Sequence, residues 1–198
     1  AIQIPASAYA LAARFWPGPL TMILKRHPDV PDAVTGGQDT IGLRVPAHPR
    51  ARELLHAFGG GVAAPSANKF GRISPTTAQH VRDEFGERMP VLDGGACTVG
   101  IESTIVALSR TTPEILRPGQ IGHAEIASVI GELMPEAAMV QELAPRVSGS
   151  MDAHYAPGTP LQLVTAADLV FSVQQALARG LRVAVLAIPQ APAGIPVT

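Results

Sequence analysis

Short apolar segments of strand length alternate along this chain with longer segments that carry a helical stripe. Near the start, Ala8, Leu11, Ala12 and Phe15 recur at the spacing that places them on one face of a helix, and Pro17 ends the pattern. Strand-like runs follow, with a loop rich in Pro, Asp and Gly between the first two. Because strands and helices alternate, the sequence favours a layered α/β sheet (α+β in some schemes) over an all-β sandwich.

The later elements continue this alternation. Pro49 opens a helix that ends before a run of glycines, and Pro75 opens another behind Ser74, a candidate N-cap. The predicted helices cover residues 8–15, 49–58 and 75–85, with a further helical face at Ile126, Val129, Ile130 and Leu133. The predicted strands cover residues 20–24, 40–45, 62–64, 91–92, 103–108 and 114–116.

The chain changes character after its last predicted helix of this series. Periodicity is lost while Pro, Gly and Ser accumulate, which predicts a linker. A strand at 161–164, a helix at 167–179 and a strand at 183–188 then form one βαβ unit, the start of a Rossmann-like domain. Because the chain begins at Ala1 rather than at a methionine and ends within the strand–helix pattern, we expect it to be a fragment of a longer protein. The predicted domains are 1–134, a linker at 135–160, and 161–198.

Composition limits the kinds of protein that this chain can be. Hydrophobic residues make up 46% and charged residues 16%, as in a chain that buries a core. A formal net charge of -1 excludes a global basic field that would hold nucleic acid by counterion release. A single cysteine, Cys97, excludes a disulfide framework and a cysteine-cluster zinc site. Since no apolar run approaches the roughly 18 residues of a membrane span and no signal peptide is evident, we expect a cytoplasmic protein.

Polar side chains gather where predicted strands end, as they do at the ligand crevices of α/β sheets. Ser66 and Asn68 offer donors and acceptors suited to phosphate or ribose oxygens, beside a turn fixed by Pro65. Ser74, at the start of a predicted helix, would lie at an anion-binding N-terminus. Glu102 fits a general base and a structural carboxylate equally well.

Arg44 lies within a predicted strand between apolar neighbours, so its side chain points to one face of the sheet. From the spacing alone, two roles for Arg44 are equally supported: a salt bridge at the edge of the strand, or a bidentate clamp on a ligand carboxylate. Thr40 falls on the same face. The glycine-rich segments match neither the GxGxxG nor the P-loop pattern, so the sequence supports neither a dinucleotide fold nor a P-loop.

Seven short motifs follow one another in order: FWPGPLT at 15–21, TIGLRVP at 40–46, AAPSAN at 63–68, SPTT at 74–77, DGG at 93–95, GIEST at 100–104 and ILRPG at 115–119. In this order and spacing they resemble the YrdC-like domain of L-threonylcarbamoyladenylate synthases. The segments SGSM at 148–151 and HYAP at 154–157 resemble the interdomain linker of the long, two-domain form of that enzyme. The resemblance implies a twisted mixed sheet with flanking helices around a large cavity.

The resemblance also implies roles for individual residues. Arg44 is expected to hold the threonine carboxylate, with Ser103 at the amino acid and the Ala64 backbone opposite it. The linker segment 148–157 is predicted to act as a lid that closes over the ligands. The expected contacts with ATP are Thr40, Ser66, Asn68, Ser74, Arg117 and Tyr155, of which Ser66, Asn68, Ser74 and Arg117 are predicted to line one cavity.

The enzymes of this family join L-threonine, bicarbonate and ATP into L-threonylcarbamoyladenylate and release pyrophosphate. The product supplies the N6-threonylcarbamoyl group of adenosine beside the tRNA anticodon. The resemblance thus implies Mg²⁺ held mainly by the ATP phosphates, without a dedicated metal cage, and a tRNA threonylcarbamoyl-transfer machinery as partner. It leaves open a direct contact with tRNA or double-stranded RNA. Two alternatives are a YrdC-like module of a carbamoyltransferase and an RNA-binding module without turnover.

Overall fold

The computed structural model describes residues 1–131 and 159–186. The chain divides into two compact units, Ala1–Ala156 and Pro157–Thr198. The helices and strands described in the first unit are α1 (Ala6–Phe15), β1 (Leu20–Lys25), α2 (Asp32–Thr35), β2 (Thr40–Leu43), α3 (Pro49–Phe58), α4 (Ala78–Phe85), β3 (Thr104–Ala107), β4 (Glu114–Arg117) and α5 (His123–Ile130), and the second unit contains α6 (Leu169–Ala178). The predicted α/β class is confirmed.

Strands β1 to β4 form one mixed sheet in the order β2-β1-β3-β4. Strand β1 runs antiparallel to β2 and parallel to β3, and β3 runs antiparallel to β4. Leu20 lies opposite Thr104, so β1 and β3 begin at the same end of the sheet. Because Leu43 lies opposite Met22 and Arg117 opposite Ile105, β2 and β4 finish at that end. We call it the site end of the sheet.

One face of the sheet packs against α1 and α5. Leu11 from α1 and Ile126 from α5 are fully buried in a cluster with Leu20, Met22 and Val106 from the strands. Residues two apart along a strand share a face, which explains why Leu20 and Met22 enter the same cluster. Burying each such side chain stabilises the fold by roughly 1.5–3 kcal/mol. The predicted stripe of α1 is therefore confirmed as a core face.

The opposite face of the sheet carries a smaller apolar cluster, built by Ile23, Ile105 and Ala107. A Cβ atom added at Gly42 would lie 3.2 Å from Cδ1 of Ile23 and 3.5 Å from Cγ2 of Thr21. Thr21 and Ile23 therefore share this face with Gly42. As the apolar residues give way to hydroxyl groups toward the site end, this face becomes suited to a polar ligand.

Helix α4 begins later than the sequence predicts. Its N-cap is Thr77, whose Oγ1 accepts a hydrogen bond of 3.2 Å from the His80 amide. The prediction that Pro75 occupies the first helical position behind Ser74 is therefore wrong, so the helix N-terminus does not lie at Ser74 as the predicted anion site required. Thr77 offers the same kind of capping oxygen further along, while the Ser74 hydroxyl is bonded to other side chains.

Two of the predicted strands are not strands. Residues 62–64 and 91–92 have no regular structure, and Val62 and Leu92 are 47% and 62% exposed. Both apolar runs are short, and neither is paired with a strand in the described part of the chain. Without a partner, a strand leaves its backbone donors and acceptors to water and gains no ladder of hydrogen bonds.

In the second unit, the predicted helix is confirmed as α6, followed by Gly180 at a φ of 73°. The strands predicted at 161–164 and 183–188 are wrong as far as the structure describes them, since residues 161–164 and 183–186 have no strand structure. Leu163 and Leu186 are almost fully exposed and lie in segments that no described strand pairs with. Most of the predicted linker lies outside the described residues, and the domain boundaries remain predictions. No helix in the described ranges is long and apolar enough to cross a membrane.

Candidate functional site

Ser103 lies immediately before β3, at the site end of the sheet. It is buried, and its Oγ lies 3.0 Å from Oγ1 of Thr21 on the neighbouring strand. The parallel register produces this pair, because Thr104 lies opposite Leu20. Two hydroxyl groups therefore meet within hydrogen-bonding distance where the apolar part of the face ends.

Arg117 is the last residue of β4 and folds its guanidinium back onto Ser103. Its Nε and Nη2 donate to the Ser103 carbonyl oxygen at 3.1 and 2.9 Å, and Nη2 also donates to Ser103 Oγ at 3.1 Å. The side chain is only 13% exposed. The antiparallel pairing of β3 and β4 brings these residues together, and several donors fix the plane of the guanidinium.

Glu102 joins the sheet end to a distant loop. Its Oε2 lies 3.7 Å from Nη2 of Arg117, and its Oε1 accepts a short hydrogen bond from the Ser74 hydroxyl. The carboxylate is 30% exposed. One side chain thus contacts a cation on the sheet and a hydroxyl on the loop, which identifies Glu102 as the link between them. The sequence had left its role open.

The loop around Ser74 is organised by Asn68. The Ser74 hydroxyl lies 3.2 Å from Asn68 Oδ1, and Asn68 Nδ2 donates to the carbonyl oxygens of Lys69 and Arg72 at 3.0 and 3.1 Å. The Arg72 amide also donates to the Lys69 carbonyl at 3.0 Å, which closes a turn. Asn68 therefore holds its own loop through its amide and contacts Ser74 through its carbonyl oxygen.

A pocket of about 320 Å³ opens beside this network. That volume is at the lower end of the range for small-molecule sites. The walls of the pocket are formed by the loop before α4, the loop after α4 and Glu102. The lining residues are Ser66, Ala67, Ser74, Pro75, Thr76, Thr77, Ala78, Val81, Val91, Leu92, Asp93, Gly94, Gly95, Cys97 and Glu102.

His48 supports one wall of the pocket from behind. Its Nδ1 accepts a hydrogen bond of 3.2 Å from the Arg50 amide, so it caps α3, and its Nε2 lies 3.1 Å from the Gly94 carbonyl oxygen. A neutral ring with the proton on Nε2 satisfies both contacts. Sequence reasoning missed this residue, although a polar residue directly before Pro49 is a recognisable capping signal.

The structure brings part of the predicted nucleotide set together. Ser66 and Ser74 line the pocket, but Asn68 and Arg117 do not, so the prediction that all four line one cavity is wrong for the last two. Asn68 contacts the lining residue Ser74, and Arg117 faces the lining residue Glu102. Ala64 lies in an exposed segment without regular structure. Tyr155 and the predicted lid lie outside the described residues.

Arg44 and Thr40 occupy opposite ends of β2. Thr40 is buried and lies opposite Lys25, at the far end of β1 from Ser103. Arg44 is exposed and follows β2 at the site end, where the Gly18 amide still donates to the Val45 carbonyl at 2.9 Å. The two residues are therefore separated by about 13 Å along the strand, and Arg44 is the one that lies near the hydroxyl pair.

No group of three or more potential metal ligands among His, Cys, Asp and Glu occurs in residues 1–131 and 159–186. The charged residues that meet at the site end are Glu102 and Arg117, with Arg44 close by in the fold. The arrangement thus offers hydroxyl groups, guanidinium groups and one carboxylate around a pocket. Such a set is suited to binding an anionic, polar ligand.

The family described as Telomere recombination (Sua5_yciO_yrdC) matches residues 1–119, and the Threonylcarbamoyl-AMP synthase, C-terminal domain, matches residues 121–194. Threonylcarbamoyl-AMP synthase of Pyrococcus abyssi is 41% identical over 165 residues, which are 82% of this chain and 48% of that protein. The Bacillus subtilis enzyme of the same name is 40% identical over 80% of this chain and 47% of its own length. This chain therefore spans about half the length of the relatives that it matches.

Solved structures with the same family names also match this chain. Pyrococcus abyssi Sua5 complexed with L-threonine matches with a TM-score of 0.73 and 35% identity, over 91% of this chain and 56% of that chain. Escherichia coli YciO matches with a TM-score of 0.53 and 26% identity, over 63% of this chain and 61% of that one. Together with the mixed sheet and its polar end, these matches define a YrdC-like α/β protein. The chain belongs to the Sua5/YciO/YrdC family.

Proposed function

We propose that this chain carries the substrate-binding domain of a threonylcarbamoyl-AMP synthase, which makes L-threonylcarbamoyladenylate and pyrophosphate from L-threonine, bicarbonate and ATP. One observation carries the proposal. Ser103, Arg117 and Ser74 are joined through Glu102 at the site end of the sheet, beside a pocket of about 320 Å³. Relatives at about 40% identity bear this enzyme's name, and a structural neighbour was solved with L-threonine.

The reaction needs two bonds to be made in order. The threonine amine bonds to the carbon of bicarbonate, water leaves, and a carbamate forms. A carbamate oxygen then attacks the α-phosphorus of ATP, and the bond to the bridging oxygen breaks as pyrophosphate leaves. Both steps depend on positioning and on neutralising phosphate charge rather than on a protein nucleophile.

The proposed roles follow from the positions of the side chains. Arg44 at the end of β2 pairs with the threonine carboxylate, while the hydroxyl groups of Thr21 and Ser103 face the rest of the amino acid. Arg117, held beside Glu102, binds the phosphates of ATP. Ser74 donates its proton to Glu102, so it faces the nucleotide as an acceptor, suited to a ribose hydroxyl. The substrate is the Mg²⁺ complex of ATP, in which phosphate oxygens and water hold most of the metal's coordination sites.

The proposed setting is tRNA modification. The product would pass to a threonylcarbamoyl-transfer machinery that acts on adenosine beside the anticodon. A net charge of -1 supports transfer through partner proteins rather than strong RNA binding by this chain alone. Direct contact with tRNA or double-stranded RNA and a cytoplasmic location remain predictions.

Pyrophosphate release tests this proposal. The protein is incubated with MgATP, L-threonine and bicarbonate, and each component is omitted in turn. We expect release only when all three are present and a large loss for Arg117→Ala. Arg50→Ala removes the same charge from an exposed pair on α3 and serves as the matched control. Release without threonine would indicate a different nucleotide reaction, and RNA binding with no release would favour the RNA-binding alternative.

A further inference from the structure

Glu102 occupies a position that none of the proposed substrate contacts explains. It precedes Ser103 in the loop that leads into β3, and its two carboxylate oxygens face two different parts of the site. Oε1 accepts the hydrogen bond from Ser74, and Oε2 faces Nη2 of Arg117 at 3.7 Å. Because both oxygens face groups of its own chain, the geometry does not mark Glu102 as a base for a substrate proton.

Ser74 depends on Glu102 for its orientation. The Ser74 side chain has a single O–H, and the acceptors within reach are Asn68 Oδ1 at 3.2 Å and Glu102 Oε1. A hydrogen bond to a carboxylate is roughly twice as strong as one to a neutral amide oxygen. Glu102 therefore decides where the hydroxyl points and ties its loop to the sheet.

Arg117 receives a second constraint from the same carboxylate. Its guanidinium donates to Ser103, and the Glu102 carboxylate, which also contacts the loop through Ser74, lies 3.7 Å from Nη2. A long, cationic side chain that is fixed from two directions loses less conformational freedom when a ligand binds. Glu102 thus holds the loop of Ser74 and the Arg117 guanidinium together.

We propose that Glu102 is a positioning residue that ties the loop of Ser74 to the sheet and sets Arg117 in place for an anionic group, taken here as the phosphates of ATP. The assignment of that ligand rests on the function proposed above. The negative charge of Glu102 also opposes phosphate, so two effects of opposite sign compete. Positioning is the larger effect, because each of its contacts lies within the carboxylate's direct reach whereas the repulsion is screened by Mg²⁺ and solvent.

A double-mutant cycle tests the proposal through ATP affinity measured by calorimetry and through the KM values of both substrates. Glu102→Ala should weaken ATP binding about tenfold and change kcat and the threonine KM much less. Glu102→Gln keeps the acceptor for Ser74 and should lose only about threefold. In a Ser74→Ala background, Glu102→Ala should cost clearly less than in the wild type, because the two residues act in part as one unit. Glu53→Ala removes an exposed carboxylate on α3 and is the control.

Several results would overturn the proposal. Tighter ATP binding by Glu102→Ala would show that repulsion dominates, and full additivity with Ser74→Ala would show that the two residues act separately. A lower melting temperature with unchanged ATP affinity would reduce Glu102 to a structural role. If Glu102→Ala does not fold, Glu102→Gln decides the question. ATP binding without pyrophosphate release would refute the proposed function but still measure the role of Glu102, and a wild type that does not bind ATP would refute both.

Discussion

Two regions of the first unit supply the candidate site, and they are held in different ways. At the site end of the sheet, Ser103 and Arg117 are fixed by strand register, by burial and by several hydrogen bonds to each other. The loops on either side of α4 contribute Ser66, Ser74 and residues 93–97, which are mostly exposed and lack regular structure. The first region is built by the backbone and the second by a few side chains.

This contrast separates two tasks. A backbone-fixed region can set the geometry of the reacting groups without rearrangement, because its positions follow from the fold. A loop region that is held by Glu102, His48 and the bond from the Cys97 amide to the Thr76 carbonyl at 2.8 Å can open at low cost. We therefore expect substitutions of packed residues in the sheet region to lower stability more than substitutions in the loops.

The largest effect is expected in the core beneath the sheet. Leu11→Ala removes a fully buried side chain and should lower the free energy of unfolding by about 2–5 kcal/mol, since it loses apolar burial and leaves a cavity. Tyr9→Ala on the same helix removes a side chain that is 64% exposed and should change stability by less than about 0.5 kcal/mol. Urea denaturation compares the two, and equal values would remove the basis for calling this face the core.

The next largest effect concerns threonine. Arg44→Ala should weaken threonine binding by about one to two orders of magnitude, because the proposed charge-assisted contact with the carboxylate is lost, while ATP affinity changes much less. Calorimetry with each ligand separates the two, with Arg50→Ala as the exposed control. Unchanged threonine affinity would remove Arg44 from the site.

Substitutions at two glycines, one in each region, compare the regions directly. A Cβ at Gly119 would lie 2.5 Å from the Thr104 amide nitrogen and 2.6 Å from the Glu102 carbonyl oxygen, so Gly119→Ala should cost about 1–3 kcal/mol of stability. A Cβ at Gly61, in the exposed loop after α3, meets nothing within 4 Å. Thermal denaturation should therefore show a clear loss for Gly119→Ala and little change for Gly61→Ala. A larger loss at Gly61 would reverse the proposed contrast.

The smallest effect is expected at His48. His48→Ala removes the cap of α3 and the bond to Gly94, at a cost of about 1 kcal/mol in stability. Its more specific signature is faster amide hydrogen exchange at residues 93–97, because their support is lost. His56→Ala, at an exposed position of α3, provides the comparison. Identical exchange in both variants would mean that His48 does not support the pocket wall.

The sequence predicted the sheet and its helices well where periodicity is long or strands are paired. The stripe of α1, the helix at Pro49–Phe58 and the runs that became β1 to β4 have clear local signals. The strand predictions at 62–64 and 91–92 were wrong because two or three apolar residues carry no information about a partner strand. The predicted start of α4 was wrong because Ser74 and Thr77 are both good capping residues, and only the folded chain selects one of them.

For the site, too, some features could be predicted from the sequence and others could not. Motif order indicated Ser74, Ser103 and Arg117 as site residues, but not how they meet. Their connection depends on the strand register and on Glu102, whose role the sequence left open between a base and a structural carboxylate. The register also places Arg44 at the site end and Thr40 at the opposite end of β2, although alternation puts both residues on one face. Long-range pairing of this kind has no local sequence signal.

The central proposal is that this site joins threonine, bicarbonate and ATP. Its most direct test is mass spectrometry of the nucleotide product formed from MgATP, L-threonine and ¹³C-labelled bicarbonate. The account predicts an adenylate that contains threonine and carries the label, and that disappears when threonine is omitted. An unlabelled threonine adenylate, or conversion of ATP with no adenylate product, would contradict it.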